Sequence, residues 1–138
     1  MQGMSLDLRA ARIADDVITG FVAAMATRDP DTIVSLFEED ASLFGSEDGE
    51  TAIGKPAIRS FVSEICAEPY TISWECEVTA AGCEDDVVWF VAPGAALLIA
   101  DAGPTRRIEP YRLSGVVRLR NGQWSFALFN GSEPSQPE

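Results

Sequence analysis

The sequence contains no histidine. That absence removes the side chain that most often moves protons near neutral pH, and with it the usual general base of a Ser or Cys triad. Cysteine is scarce as well. Cys66, Cys76 and Cys83 make an odd number with no zinc-type spacing, so neither a disulfide framework nor a metal site is expected, and no cofactor is implied. No apolar run approaches the roughly 18 residues that span a bilayer, and the N-terminus has neither a basic flank nor a continuous apolar region. Positive charge is also short: 10 basic residues face 22 acidic ones, a net charge of −12. Such a surface repels phosphate backbones and anionic headgroups, so nucleic acid and membranes are not expected partners, and the chain reads as cytoplasmic.

What is present is a core. With 138 residues, 46% of them hydrophobic, the chain is long enough to bury one. A single domain over 1–138 is expected, ordered from about 7 to 130, with the polar, Pro- and Ser-rich stretch 131–138 as a tail. Ile13, Val17, Phe21 and Met25 recur every four residues, flanked by Ile18 and Val22, which predicts an amphipathic helix from about Leu8 to Thr27. Asp29 before Pro30 has the form of an N-cap with Pro at the first helical position. It predicts a short second helix burying Ile33, Leu36 and Phe37. The run "GKPAIRSFVSEI" predicts a third, with Ile58, Phe61, Val62 and Ile65 inward. Between them lie a short strand at Ala41 to Phe44 and an acidic, Gly-rich loop, and Asp40 reads as a cap or turn residue.

After Pro69 the period changes from helical to alternating. Tyr70, Ile72, Trp74, Cys76 and Val78 share one face of a strand. "CEDD" predicts a turn, "VVWFVAPGAALLIA" a long strand bent at Pro93-Gly94, and Asn121-Gly122 a tight hairpin between the strand from Ile108 to Arg120 and "QWSFALFN". Three helices followed by a four-stranded meander define an α+β class. Val87 to Val91 and Trp124 to Phe129 put apolar groups on both sheet faces. A homodimer formed sheet against sheet is the expected cover for the second face.

These elements come in an order that resembles a known group. "FVAAMATRDPDTIVSLFEEDASL", "IGKPAIRSFV", "YRLSGVVRLRNGQW" and the closing "NGSEP" are similar, in sequence and spacing, to the SnoaL-like and ketosteroid-isomerase-like proteins of the nuclear transport factor 2-like superfamily. The resemblance covers nearly the whole domain. It implies a cystatin-like cone: three N-terminal helices packed in a strongly curved, mainly antiparallel sheet, with an apolar cavity at the open end. Members act on or bind small lipophilic molecules, so the fold alone does not fix the chemistry.

The same resemblance tests the site residue by residue. In ketosteroid-isomerase-like members an Asp removes a proton while a Tyr and a protonated Asp stabilise the enolate. Here the Tyr position falls on Phe21, the base on Gly45 and the second acid near Gly115. None of these side chains can transfer a proton. Dehydratase chemistry of the scytalone type leans on histidine, which is absent. The substitutes within reach are Glu47, Asp48 or Glu50 in the loop, which otherwise form a solvated acidic stretch, and Tyr111 or Arg112, of which strand alternation turns one inward. Arg112 matches the Arg of the family's late-strand motif. It is a candidate for an anionic ligand, unless Arg112, Arg118 and Arg120 form a ladder opposite Glu75 and Glu77. Asn130 takes the place of the family's terminal histidine, able to bind but not to shuttle protons. Cys76 shares the face of Trp74 and reads as an inert thiol. Catalytic candidates are thus Glu47, Tyr111 and Arg112. The expected ligand-binding set is Phe21, Met25, Phe37, Phe61, Trp74 and Asn130, around a small hydrophobic molecule. The alternative is a lyase, isomerase or cyclase acting on a polyketide- or terpenoid-like molecule.

Overall fold

A computed structural model describes residues 6–47, 49–102 and 106–134. The first helix, α1 (Leu8–Thr27), starts where Asp7 accepts a hydrogen bond from Ala10 N at 2.9 Å. Its fully buried stripe is Ala10, Ala14, Ile18, Phe21 and Met25, while Ile13, Val17 and Val22 are only partly covered. The stripe is therefore rotated from the one the large apolar residues predicted. Alanines let the helix axis approach the sheet closely, and a pattern weighted toward bulky side chains does not register them. The helix ends at Arg28, a non-glycine residue in the left-handed region at φ 56°. The Arg28 guanidinium explains why that conformation is held: it grips Asp101 at 2.7 and 2.8 Å and the carbonyls of Cys66 and Glu68.

Asp29 caps α2 (Pro30–Val34), accepting from Asp31 N at 3.2 Å and Thr32 Oγ1 at 2.8 Å. The helix is five residues long, and Leu36 and Phe37 lie beyond it. Phe37 opens strand β1 (Phe37–Phe44), four residues earlier than expected, because the Leu36 carbonyl accepts from Phe126 N at 2.8 Å and Phe37 pairs in parallel with Phe126. A ladder to a segment some 90 residues away overrode the local helical signal. Asp40 accordingly is an exposed strand residue, neither cap nor turn. Strand β2 (Thr51–Ile53) pairs antiparallel with β1, and Gly54, at φ +88°, turns the chain into α3 (Lys55–Cys66), where Ile58 and Val62 are buried.

The remaining strands are β3 (Tyr70–Cys76), β4 (Ala80–Glu84), β5 (Val87–Ala100), β6 (Arg106–Arg120) and β7 (Gln123–Ser132). The sheet order is β2-β1-β7-β6-β5-β3, with β4 also on β5, and every pairing is antiparallel except β1 with β7. The expected four-stranded meander is thus part of a seven-stranded curved sheet. The stretch "AAGCE" has few strand-forming residues, and β4 exists because Val87–Val91 offer it an edge. β5 changes partner at its predicted bend: residues before Pro93 pair with β4 and residues from Gly94 onward pair with β3. At Gly94 a Cβ would lie 2.7 Å from Cys76 Cα, so only glycine allows the two backbones to meet there. β7 continues to Ser132, two residues into the stretch expected to be tail. No described helix is long and apolar enough to cross a membrane.

The closed end of the cone is solid. Phe37, Phe126, Ile33, Ile58, Leu113, Val88 and Val117 have essentially no exposed side chain. Phe21 joins this region to the open end, with ring centroids 6.4 Å from Phe37, 5.8 Å from Phe126 and 4.9 Å from Phe129.

Candidate ligand cavity

At the open end the packing stops short. A cavity of about 160 Å³ remains between the helices and the inner face of the sheet. α1 contributes Phe21 and Met25, α3 contributes Phe61, Val62 and Ile65, and the strands contribute Ile72, Trp74, Ala96, Leu98 and Phe129. The wall is interrupted by polar groups at two places. Deep in it, Trp74 and Tyr111 meet edge to face with centroids 6.1 Å apart. At the mouth stand Tyr70, Ser46, Glu47, Glu50, Glu109 and Glu133.

Strand alternation explains which residues of β6 take part. Tyr111 and Leu113 turn inward, and Arg112 turns outward into solvent. Tyr111 is 7% exposed, and burial pushes its phenol up to about 12, only partly offset by the Trp74 indole N–H beside it. That N–H lies near the phenol oxygen without meeting hydrogen-bond geometry, and it has no other partner. Gly131, on the inner face of β7, makes room for the hydroxyl: a side chain there would collide with Tyr111 Oη. At physiological pH Tyr111 is a neutral hydrogen-bond donor, not a base.

The mouth is organised around Glu50. Its Oε1 accepts from Glu47 N at 3.1 Å, and its side chain fills the space that a side chain on Gly45 would need, with Glu50 Cβ 2.8 Å from that position. The space beside Gly45, where the resemblance places a base, is thus filled by a carboxylate arriving from beside β2. Ser46 donates to Glu133 at 3.3 Å, and Arg107, largely exposed, holds Glu109 through its Nε at 3.0 Å. Burial raises the Tyr70 phenol, helped by Glu68, Glu47 and Glu50 nearby. Among the described lining residues there is no Lys or Arg.

Of the residues expected to bind ligand, Phe21, Met25, Phe61 and Trp74 line the cavity. Phe37 does not; it is sealed in the closed end against Phe126, centroids 5.2 Å apart. Asn130 does not either. A register shift in the β6–β7 ladder between Val116 and Val117 leaves Phe129 facing in and Asn130 facing out, where its Nδ2 donates to Ser114 Oγ at 3.3 Å. Among the catalytic candidates, Tyr111 is in the wall, Glu47 is exposed at the mouth, and Arg112 is on the outer face; Asp48 lies outside the described residues. Arg118 and Arg120 do not pair with Glu75 and Glu77. β5 separates β6 from β3, and both arginines approach Glu38 instead, each at 3.6 Å. Position 115 could not have held an acid, since a Cβ there would lie 2.6 Å from the Leu128 carbonyl oxygen. Cys76 is partly buried and its thiol is pushed up by desolvation, in keeping with an inert role.

Glu109, Glu133 and Phe129 were not anticipated. Glu109 follows from Tyr111 by strand alternation, a local signal, whereas Phe129 faces in by a bulge that only the register reveals.

The SnoaL-like domain family matches residues 14–136. The chain belongs to that family. No curated protein matches it in sequence. Among solved structures it is similar to a nuclear transport factor 2-like superfamily protein from Salmonella enterica serovar Typhimurium, at 12% identity and TM-score 0.76, covering 94% of each chain. It is also similar to a ketosteroid isomerase-like protein from Erwinia carotovora atroseptica, at 14% identity and TM-score 0.72, covering 94% of this chain and 100% of the other. At such identities the likeness shows the shared fold.

Proposed function

We propose that this chain binds a small hydrophobic molecule in the open-end cavity and does not carry out isomerisation of the ketosteroid type. One observation carries the reading: apart from the Trp74 indole N–H and the Tyr111 hydroxyl the deep wall is apolar, and among the described residues no carboxylate is hydrogen-bonded to Tyr111. A volume near 160 Å³ suits a ligand of about one aromatic ring. The three cysteines are free, which supports a reducing, cytoplasmic setting. Melting the protein with a panel of lipophilic metabolites tests the proposal. A ligand that favours the folded form raises the melting temperature with its concentration, and a flat response across neutral lipophiles contradicts it.

A second reading is favoured by the position of Glu50 in the space vacated at Gly45. In it the chain is a lyase, isomerase or cyclase acting on a polyketide- or terpenoid-like molecule, with Glu50 as base and Tyr111 as hydrogen-bond donor. It requires that Glu50→Gln and Tyr111→Phe each abolish turnover while ligand still binds. We also propose a homodimer through the outer sheet face. Trp89 (46% exposed) and Val91 lie on that face, with Trp89 flat against Gly82, where a Cβ would sit 2.7 Å from the indole. Sedimentation at micromolar concentration should give twice the 14.9 kDa chain mass, and a monomer would overturn the assignment.

A further inference from the structure

Trp74 Nε1 is buried and makes no hydrogen bond. Buried indole N–H groups normally find an acceptor, and leaving one bare in an apolar wall is unfavourable. Tyr111 raises the same question from the next position on the wall. It is more than nine-tenths buried, its oxygen lies beside the Trp74 N–H without completing a hydrogen bond, and among the described residues its own O–H donates to no side chain or carbonyl. Gly131 gives up a side chain at the point where that hydroxyl lies. Two adjacent donors on one cavity wall, neither held by a completed hydrogen bond, are placed to share an acceptor brought by a ligand.

We propose that the cavity recognises an uncharged lipophile bearing a carbonyl, ether or hydroxyl oxygen, with that oxygen accepting from Trp74 Nε1 and Tyr111 Oη. The assignment rests on the binding function proposed above and narrows its ligand class. The other lining groups are consistent with it. Phe21, Met25, Phe61 and Phe129 surround the two donors with apolar surface, so the remainder of the ligand is hydrocarbon. An acid is disfavoured: the mouth carries Glu47, Glu50, Glu109 and Glu133, and Arg107 beside it is already held by Glu109.

Three probes of similar shape separate the possibilities: ethylbenzene, acetophenone and benzoate, titrated by calorimetry and by the indole N–H resonances of the full chain. Acetophenone should bind about tenfold more tightly than ethylbenzene. Benzoate should bind more weakly than either. The Trp74 Nε1–H resonance, assigned with Trp74→Phe, should move downfield with acetophenone and not with ethylbenzene. Trp74→Phe and Tyr111→Phe should each erase the preference for the ketone; if Tyr111→Phe does not fold, Trp74→Phe decides alone. Equal affinity for acetophenone and ethylbenzene, benzoate binding as well as the ketone, or a preference that survives Trp74→Phe would each overturn the inference while leaving a lipophile-binding cavity in place. Failure of all three probes to bind would instead overturn the binding function itself, and this inference with it.

Discussion

The two ends of the cone are made from the same strands and yet are built on opposite rules. At the closed end, Leu113 and Val117 of β6 and Phe126 of β7 interdigitate with Ile33 and Phe37 and leave no side chain exposed. A few residues along the same two strands, Tyr111 and Phe129 face a hollow with unpaired donors and an acidic rim. One end supplies the free energy of folding; the other can therefore tolerate empty space and unsatisfied polar atoms. Function is found where packing is given up.

The comparison breaks most sharply under truncation. Phe126→Ala should cost about 3–5 kcal/mol in chemical denaturation, because the closed end cannot collapse around the lost ring. Phe61→Ala, at the half-buried wall of the cavity, should cost less than half as much. Equal losses would show that the two ends are packed alike.

Next comes the strand crossing that connects the ends. Gly94→Ala places a methyl group against the backbone of β3, 2.7 Å from Cys76 Cα, and should cost about 1–3 kcal/mol. Gly20→Ala is the control. A Cβ at Gly20 meets nothing within 4 Å, and alanine there should stabilise α1 by about 0.5–1 kcal/mol.

The polar wall of the open end should be visible in the pH dependence. The folded-state phenol of Tyr111 is raised from 10.0 to about 12, so the native state holds a proton that the unfolded chain releases first. Stability from this group is full below pH 10 and falls as pH climbs toward 12, by about 2–3 kcal/mol. Tyr111→Phe should flatten that part of the profile relative to the wild type. The smallest effect belongs to the rim, where Glu50→Gln keeps the acceptor for Glu47 N and should change stability by no more than about 0.5 kcal/mol.

What was legible in the sequence followed the same division. Caps, periods and turn residues located the start of α2, α3 and the late hairpin, because those signals act within a few residues: Asp29-Pro30, the stripe from Ile58 to Ile65, Asn121-Gly122. The resemblance supplied the cone, and from it four of six expected lining residues, Phe21, Met25, Phe61 and Trp74. Phe37 and Asn130 were misplaced for a different reason. Each depends on a pairing with a distant strand, β1 on β7 in one case and a shifted β6–β7 register in the other, and no local pattern encodes a register. The sequence marks Glu50 only together with Glu47 and Asp48 as a loop carboxylate; its place against Gly45 appears when the loop folds back.

The central claim is that the open end holds a hollow able to take up a lipophile. The most direct measurement is a titration with acetophenone, followed through the methyl resonance of Met25, whose side chain lines the cavity. A saturable shift of the Met25 methyl, with a parallel rise in melting temperature, is the predicted result. A Met25 signal that does not respond at millimolar probe, while the protein melts unchanged, would contradict the account.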